Sequence, residues 1–372
     1  MRIKASSLID TLKKYDYSFF GISIAIFIMG VINLHSATHA STSQRMANLY
    51  LSQIGWFSIS LFAGIILSFI HPKNFFRFSW AIYAFNILLL VLVLILGDKG
   101  MGAQRWLVIG PVRIQPSELT KVCVILALAR YFAKHEAERA LGLFQLIKPF
   151  IIAIIPAVLI IVEPDLGTGL LVLLIFFFIA FYRKLRWKTI GVLMILGVIS
   201  GIGMYNFGLK EYQKRRVESF FNPGQDLRGS DYNRNQSRIA IGSGKFRGKG
   251  FKKSSQASLN FLPENHTDFV FSIFNEEHGF IGSLFLLGLY LVLFIRFIVL
   301  AGTVNRMFES IVVVGLLSVF FWHTIINMGM VMGMLPVVGL PLPLMSYGGS
   351  SLLTFGIICG IATSISNYRN FF

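Results

Sequence analysis

The chain has 372 residues, 55% hydrophobic and only 14% charged, with a mean hydropathy of +0.69. Soluble domains carry about 25% charged residues, so a soluble enzyme is excluded, and the 34 Gly and 36 Phe fit a polytopic helical membrane protein in which Gly lets helices approach closely. A net charge of +17 would suggest nucleic acid in a soluble protein, but here the cations sit between apolar tracts without an RNA-binding signature, so membrane lipids are the expected partner and nucleic acid is not.

Crossing about 30 Å of hydrocarbon takes about 20 apolar residues. Ten tracts qualify: 17–34, 51–70, 78–96, 116–132, 147–162, 166–182, 189–207, 279–300, 309–333 and 351–367. The first follows a basic start (Arg2, Lys4, Lys13, Lys14), and Ser36-Ala-Thr-His-Ala40 is a poor cleavage site, so the tract is read as a retained helix. Tracts five and six are parted only by Glu163-Pro-Asp165, and fusing them would invert everything downstream. Charge in the short loops decides for ten spans. The segments on the N-terminal side of the membrane hold 17 Lys and Arg, against four (Arg45, Lys99, Arg105, Arg113) on the other. Both termini are therefore expected in the cytoplasm. The predicted fold is all-α and single-domain over 1–372, with a long extracytoplasmic loop, 208–278, between spans seven and eight. That loop is too long for an ordinary connection and is read as functional. Cys123 and Cys359 lie inside apolar tracts, without the spacing of a zinc or redox site, and read as buried hydrophobes.

Chemistry concentrates in a few polar stretches. Arg105-Trp106 is a surface anchor or a headgroup contact. Glu118 and Lys121, three apart after Pro116, share a helix face and can pair, either as structure or turned toward substrate. Glu163-Pro-Asp165-Leu-Gly-Thr168 is a tight external turn or a substrate-holding break, and the charge count prefers the turn. In 208–278 stand Tyr212-Gln-Lys-Arg-Arg216, an Asn222-Pro-Gly224 turn signal and Gly242-Ser-Gly-Lys-Phe-Arg-Gly-Lys-Gly250. The last lacks the order of a P-loop and reads first as a tight Gly-rich turn. In a weaker version its amides, with Lys245, Arg247 and Lys249, hold a diphosphate.

The densest cluster is Phe261-Leu-Pro-Glu-Asn-His-Thr-Asp-Phe269. Asp268, behind Thr267, is either a helix cap or a carboxylate at the water–lipid boundary that accepts a proton from a sugar hydroxyl, with Glu264 and His266 as second candidates. Asn265-His-Thr267 also matches a glycosylation sequon, relevant only in a eukaryotic secretory pathway. Glu276-Glu277 suit a helix start. Gly339-Leu-Pro-Leu-Pro-Leu-Met-Ser-Tyr-Gly-Gly-Ser-Ser351, which carries Ser346 and Tyr347, is a broken connection expected to line the same cleft as Asp268.

Gln115-Pro-Ser-Glu118, Glu163-Pro-Asp-Leu-Gly-Thr168, the 261–269 stretch and Pro343-Leu-Met-Ser-Tyr-Gly-Gly-Ser-Ser351 together resemble the SEDS family (shape, elongation, division and sporulation). Tyr212-Gln-Lys-Arg-Arg-Val217 and Leu335-Pro-Val-Val-Gly-Leu-Pro-Leu-Pro343 look more like its rod-shape branch than its division branch, which stays as an alternative. The departures, Lys245 in the Gly-rich turn, Asn265, and His278 after the Glu pair, bear on loop shape. The resemblance implies a peptidoglycan glycosyltransferase of the bacterial cytoplasmic membrane, polymerising lipid II on the outer face for cell elongation. It implies Asp268 as the essential carboxylate and Glu118 with Lys121 as a buried ion pair. The implied partners are the nascent glycan strand and a class B penicillin-binding protein. The leaving undecaprenyl diphosphate needs positive charge, from Arg215, Arg216, Arg238, Lys245, Lys249 or a divalent cation (Mg or Mn). A lipid II flippase and a non-catalytic scaffold are the rival readings.

Overall fold

The computed structural model describes residues 15–39, 46, 48–100, 103–110, 112–135, 140–221, 230–259 and 261–369. The basic start (Arg2, Lys4, Lys13, Lys14), the loop cations Arg45 and Arg139 and the expected Asn222-Pro-Gly224 turn lie outside them. Three helices come first: α1 (Ser18–Thr38), α2 (Leu49–Ser68) and α3 (Pro72–Leu96). An antiparallel three-stranded sheet follows, β1 (Asp98–Gly100), β2 (Ala103–Ile109) and β3 (Val112–Ile114), with Lys99 opposite Gln104 and Val108 opposite Arg113. Next come α4 (Pro116–Lys134), α5 (Leu143–Val162), α6 (Leu166–Tyr182) and α7 (Trp187–Gly203), the last extended by a π turn at Met204–Gly208. Three shorter helices, α8 (Glu211–Phe221), α9 (Ser230–Gly244) and α10 (Ser255–Ser258), precede α11 (Val270–Thr303), α12 (Met307–Val331) and α13 (Gly349–Tyr368).

Each of the ten predicted tracts falls on a helix. Among the described residues, eight helices are long and apolar enough to cross a membrane, which makes this a multi-pass membrane protein. Of the other two, α6 has only 17 residues, while α4 carries Glu118, Lys121, Arg130 and Lys134. Burial ranks the spans: α12 and α13 form the centre, whereas α7 with its π turn buries nothing in its most apolar stretch and is peripheral. Small residues set the spacing of α2 on α13. A methyl on Gly360 would lie 2.4 Å from the Gly64 carbonyl oxygen, and Ser60 Oγ donates to Leu352 O at 2.5 Å, so the backbones touch.

Two expectations are corrected. The 208–278 segment is not a plain loop but contains α8, α9 and α10. Helix α9 escapes a hydropathy reading because its buried stripe, Asp231, Arg234, Ser237, Ala240 and Gly244, is mostly polar while keeping helical spacing. Ser237 Oγ donates to Val331 O at 2.6 Å and lies 2.9 Å from Ser272 Oγ, seating α9 on α11 and α12.

The eighth tract also begins earlier than predicted. Helix α11 has 34 residues, about 51 Å at 1.5 Å per residue, well over one membrane thickness. Glu276 and Glu277 are therefore not at its start but buried in its first third, before a break at Gly279 (φ 65°, ψ −161°). The 245–250 turn fills that break. Phe280 N and Ile281 N donate to Lys245 O and Phe246 O, while Lys249 N and Gly250 N donate to Glu276 O and Glu277 O. Four helix groups freed by the kink are thus re-paired, as irregular backbone at membrane depth requires.

Candidate active site

The polar stretches gather at one end of the bundle. The starts of α4, α6, α11 and α13 and the ends of α5 and α12 all lie there. Asp268 stands two residues before α11, in a turn from Pro263 to Phe269, and it does not cap the helix: the cap position is Phe269, without a side-chain bond. Thr267 does not cap it either, since its Oγ1 donates to Glu264 Oε2 at 2.8 Å. The helix-cap reading of Asp268 is therefore wrong. Its carboxylate makes no hydrogen bond or ion pair with any described residue, although the residue is more than half buried. Burial pushes the carboxyl up to about 6; Glu264 and Asp165 add to the rise and Arg216 opposes it. Burial also holds His266 below its ordinary value, against the pull of Glu264.

The recess is closed by the strap 332–348 between α12 and α13. Gly339 (φ 81°) runs past the carboxylate, and a methyl there would sit 3.4 Å from Asp268 Oδ2. Ser346 Oγ donates to Thr267 O at 2.6 Å and accepts from Leu342 N at 2.8 Å, and Tyr347 N donates to His266 O at 2.9 Å. Gln53 Nε2 on α2 donates to Ser346 O at 2.8 Å. Ser346 and Tyr347 thus join the Asp268 turn, as the sequence suggested, through one hydroxyl and one backbone N–H.

Glu118 and Lys121 form a buried ion pair of 2.8 Å, with the Lys121 side chain fully enclosed. The sequence reading missed the third member: Lys121 Nζ lies 3.0 Å from His323 Nε2, and His323 Nδ1 lies 3.0 Å from Pro341 O. An ammonium only donates, so Nε2 accepts and Nδ1 carries the proton given to the strap. A lone His on an apolar span, about 200 residues away in sequence, offered no local signal.

The cations divide into two groups. Arg216 Nη1 donates to Val337 O at 3.3 Å, and the side chains of Arg234 and Arg238 lie over Gly333, so α8 and α9 bring arginines onto the strap. Arg234 is itself paired with Asp231 at 2.9 Å. Lys249 is engaged elsewhere: its Nζ is 2.5 Å from Glu276 Oε1, a carboxylate that also accepts from Ser254 and Ser255. Lys245 sits in the turn that fills the α11 break. The amides of Gly248, Lys249 and Gly250 donate to the carbonyls of Gly244, Glu276 and Glu277, so these three are not available to a phosphate. Arg105, on β2, donates through Nη2 to Pro164 O and through Nε at 3.3 Å to Glu163 O, so it holds the 163–165 turn. Asp165 accepts from Gln115 Nε2 at 3.1 Å and from Thr168 N at 3.3 Å. Glu163 is fully buried with both oxygens unpartnered; burial, helped by Asp165 and opposed by Arg105, raises it to about 8. Among the described residues no three His, Cys, Asp or Glu side chains are grouped to hold a metal ion.

Fold and site together define a multi-pass helical membrane protein with a carboxylate, unpartnered among the described residues, in a recess at one end of its bundle. The chain belongs to the family of FtsW, RodA and SpoVE, whose model, described as cell cycle protein, matches residues 16–371. It is 38% identical over 317 residues, 85% of each chain, to the peptidoglycan glycosyltransferase MrdB of Escherichia coli K12. A chain from a peptidoglycan synthase complex, described for its structural coordination of polymerization and crosslinking, superposes with a TM-score of 0.80 at 29% identity, over 96% of this chain and 98% of that one. The rod shape determining protein RodA of Thermus thermophilus gives 0.71 at 28%, with the same coverage.

Proposed function

We propose that this peptidoglycan glycosyltransferase polymerises lipid II into glycan strands for cell elongation, with Asp268 as the general base. The 4-hydroxyl of one N-acetylglucosamine attacks the anomeric carbon of another chain's N-acetylmuramic acid. The new C–O bond forms as the bond to undecaprenyl diphosphate breaks, with inversion, and Asp268 takes the hydroxyl proton. The observation that carries this is the Asp268 carboxylate itself: partnerless, recessed and raised toward 6, it is a better base than an ordinary aspartate yet mostly ionised at neutral pH. Arg216 and Arg238, on the strap beside it, are the preferred counter-charges for the departing diphosphate. A divalent cation carried by that diphosphate would supply further positive charge to the departing group.

In this reading the chain has ten spans, both termini in the cytoplasm and the Asp268 end outward; the helix pattern and the short-loop charges support it. Similarity to a chain of a peptidoglycan synthase complex supports a class B penicillin-binding transpeptidase as partner. The test is purified protein with labelled lipid II. Glycan ladders that vanish in Asp268→Ala support polymerisation. Lipid movement across liposomes that survives the substitution, with no glycan made, would instead mark a flippase. Normal cell shape and retained transpeptidase binding in an Asp268→Ala strain would mark a scaffold.

A further inference from the structure

Helix α12 reaches the recess with two buried side chains four residues apart, hence on one face. Asn327 gives one amide proton to Asp268 O at 2.9 Å and the other to Leu340 O at 2.7 Å. One side chain therefore ties together the residue that bears the carboxylate and the strap that closes over it. One turn earlier, His323 donates to Pro341 O, the next carbonyl of the strap, and is itself held by Lys121. The Asp268 carboxylate has no bond to any described residue to fix it. Its position is set through its main chain and through the approach of Gly339.

We propose that Asn327, backed by His323, is the positioning element of this active site, holding the strap against Asp268 so that the carboxylate stays aimed and shielded from water. Lys121 and Glu118 act at one remove, fixing the His323 tautomer, and do not face substrate. The inference rests on the reading of Asp268 as the base. The charged and titratable groups around that carboxylate are Glu264 and His266 on its own turn, Arg216 on α8 and Asp165 at the start of α6. None of them is on α12, so substitutions there act by geometry and hydration.

The experiment measures initial rates of lipid II polymerisation by the full-length chain against pH and substrate, for Asn327→Ala, His323→Asn and His323→Gln. Loosening the strap admits water to Asp268 and lowers its affinity for a proton. Asn327→Ala is expected to lower kcat at least tenfold, leave KM within about threefold, and move the acid limb of the rate profile at least half a pH unit lower. A merely structural role would reduce the active fraction equally at every pH and leave the limb in place. The histidine pair serves even where Asn327→Ala folds poorly. An Asn amide can occupy the place of Nδ1 and keep the strap bond, whereas a Gln amide mimics Nε2 and keeps only the Lys121 contact. His323→Asn should therefore retain at least fivefold more activity than His323→Gln. Equal losses in the two histidine variants, or an unmoved acid limb in folded Asn327→Ala, overturn the proposal. Asp268→Ala run in parallel separates the readings: if it keeps its rate, the base assignment fails, and if it is dead while the α12 variants behave as wild type, only the positioning role fails.

Discussion

Replacing Asp268 with Asn should stabilise the protein while abolishing its activity, and the gain should depend on pH. The folded carboxyl is raised to about 6, whereas an unfolded aspartate titrates near 3.9. Below about 4 both states are protonated and the residue is neutral to stability. Between about 4 and 6 the unfolded chain ionises first, so wild-type stability falls as pH rises, and above 6 the full cost is present. Two pH units correspond to about 2.8 kcal/mol; because the carboxylate keeps some contact with water, about 1–2 kcal/mol is the realistic cost at pH 8. For a chain of 372 residues that is roughly 1–3 °C in melting temperature. Thermal unfolding in detergent, followed by tryptophan fluorescence, should show Asp268→Asn melting above wild type at pH 8, with the difference closing toward pH 4. A variant that melts below wild type at pH 8, or a gain that does not vary with pH, would refute a partnerless, desolvated carboxylate.

Other outcomes follow from the same geometry. Lys121→Met strands Glu118 inside the bundle and should cost about 3–5 kcal/mol, most of it recovered when Glu118→Gln is added, as a two-by-two set of melting curves would show. Gly279→Ala should cut the folded yield severely, read by size-exclusion chromatography, because a methyl there would lie 2.3 Å from Gly248 N and expel the turn that re-pairs the broken helix. Glu276→Ala should loosen the 249–256 segment, which its carboxylate gathers through Lys249, Ser254 and Ser255, and raise amide exchange across it.

The spans were legible because twenty apolar residues in a row have one economical solution. The 261–269 and 339–351 stretches were legible as one site because polar and broken backbone so close to apolar tracts has few other uses. What hydropathy could not convey was structure built from polar contacts. Helix α9 buries Asp231 and Arg234 against each other, and α11 begins nine residues before its apolar tract because Glu276 is satisfied by Lys249 and two serines. The small sheet over 98–114 lies in loops too short to show a strand period. The cations of the long segment looked equivalent in sequence, and only the fold separates Arg216 and Arg238, on the strap, from Lys249, engaged by Glu276. His323 and Asn327 carried no signal because a few scattered polar residues in a mostly apolar helix form no motif; the strap that folds back onto them gives them meaning.

The central claim is that Asp268 takes the acceptor's proton. Its most direct measurement is the pH dependence of lipid II polymerisation by wild-type protein beside Asp268→Ala of verified fold. Wild-type rates should rise about tenfold per pH unit below 6 and level above it, with the variant at least a hundredfold slower at pH 7.5 and without that limb. A folded Asp268→Ala that retains a tenth of the wild-type rate, or keeps the same acid limb, would contradict it.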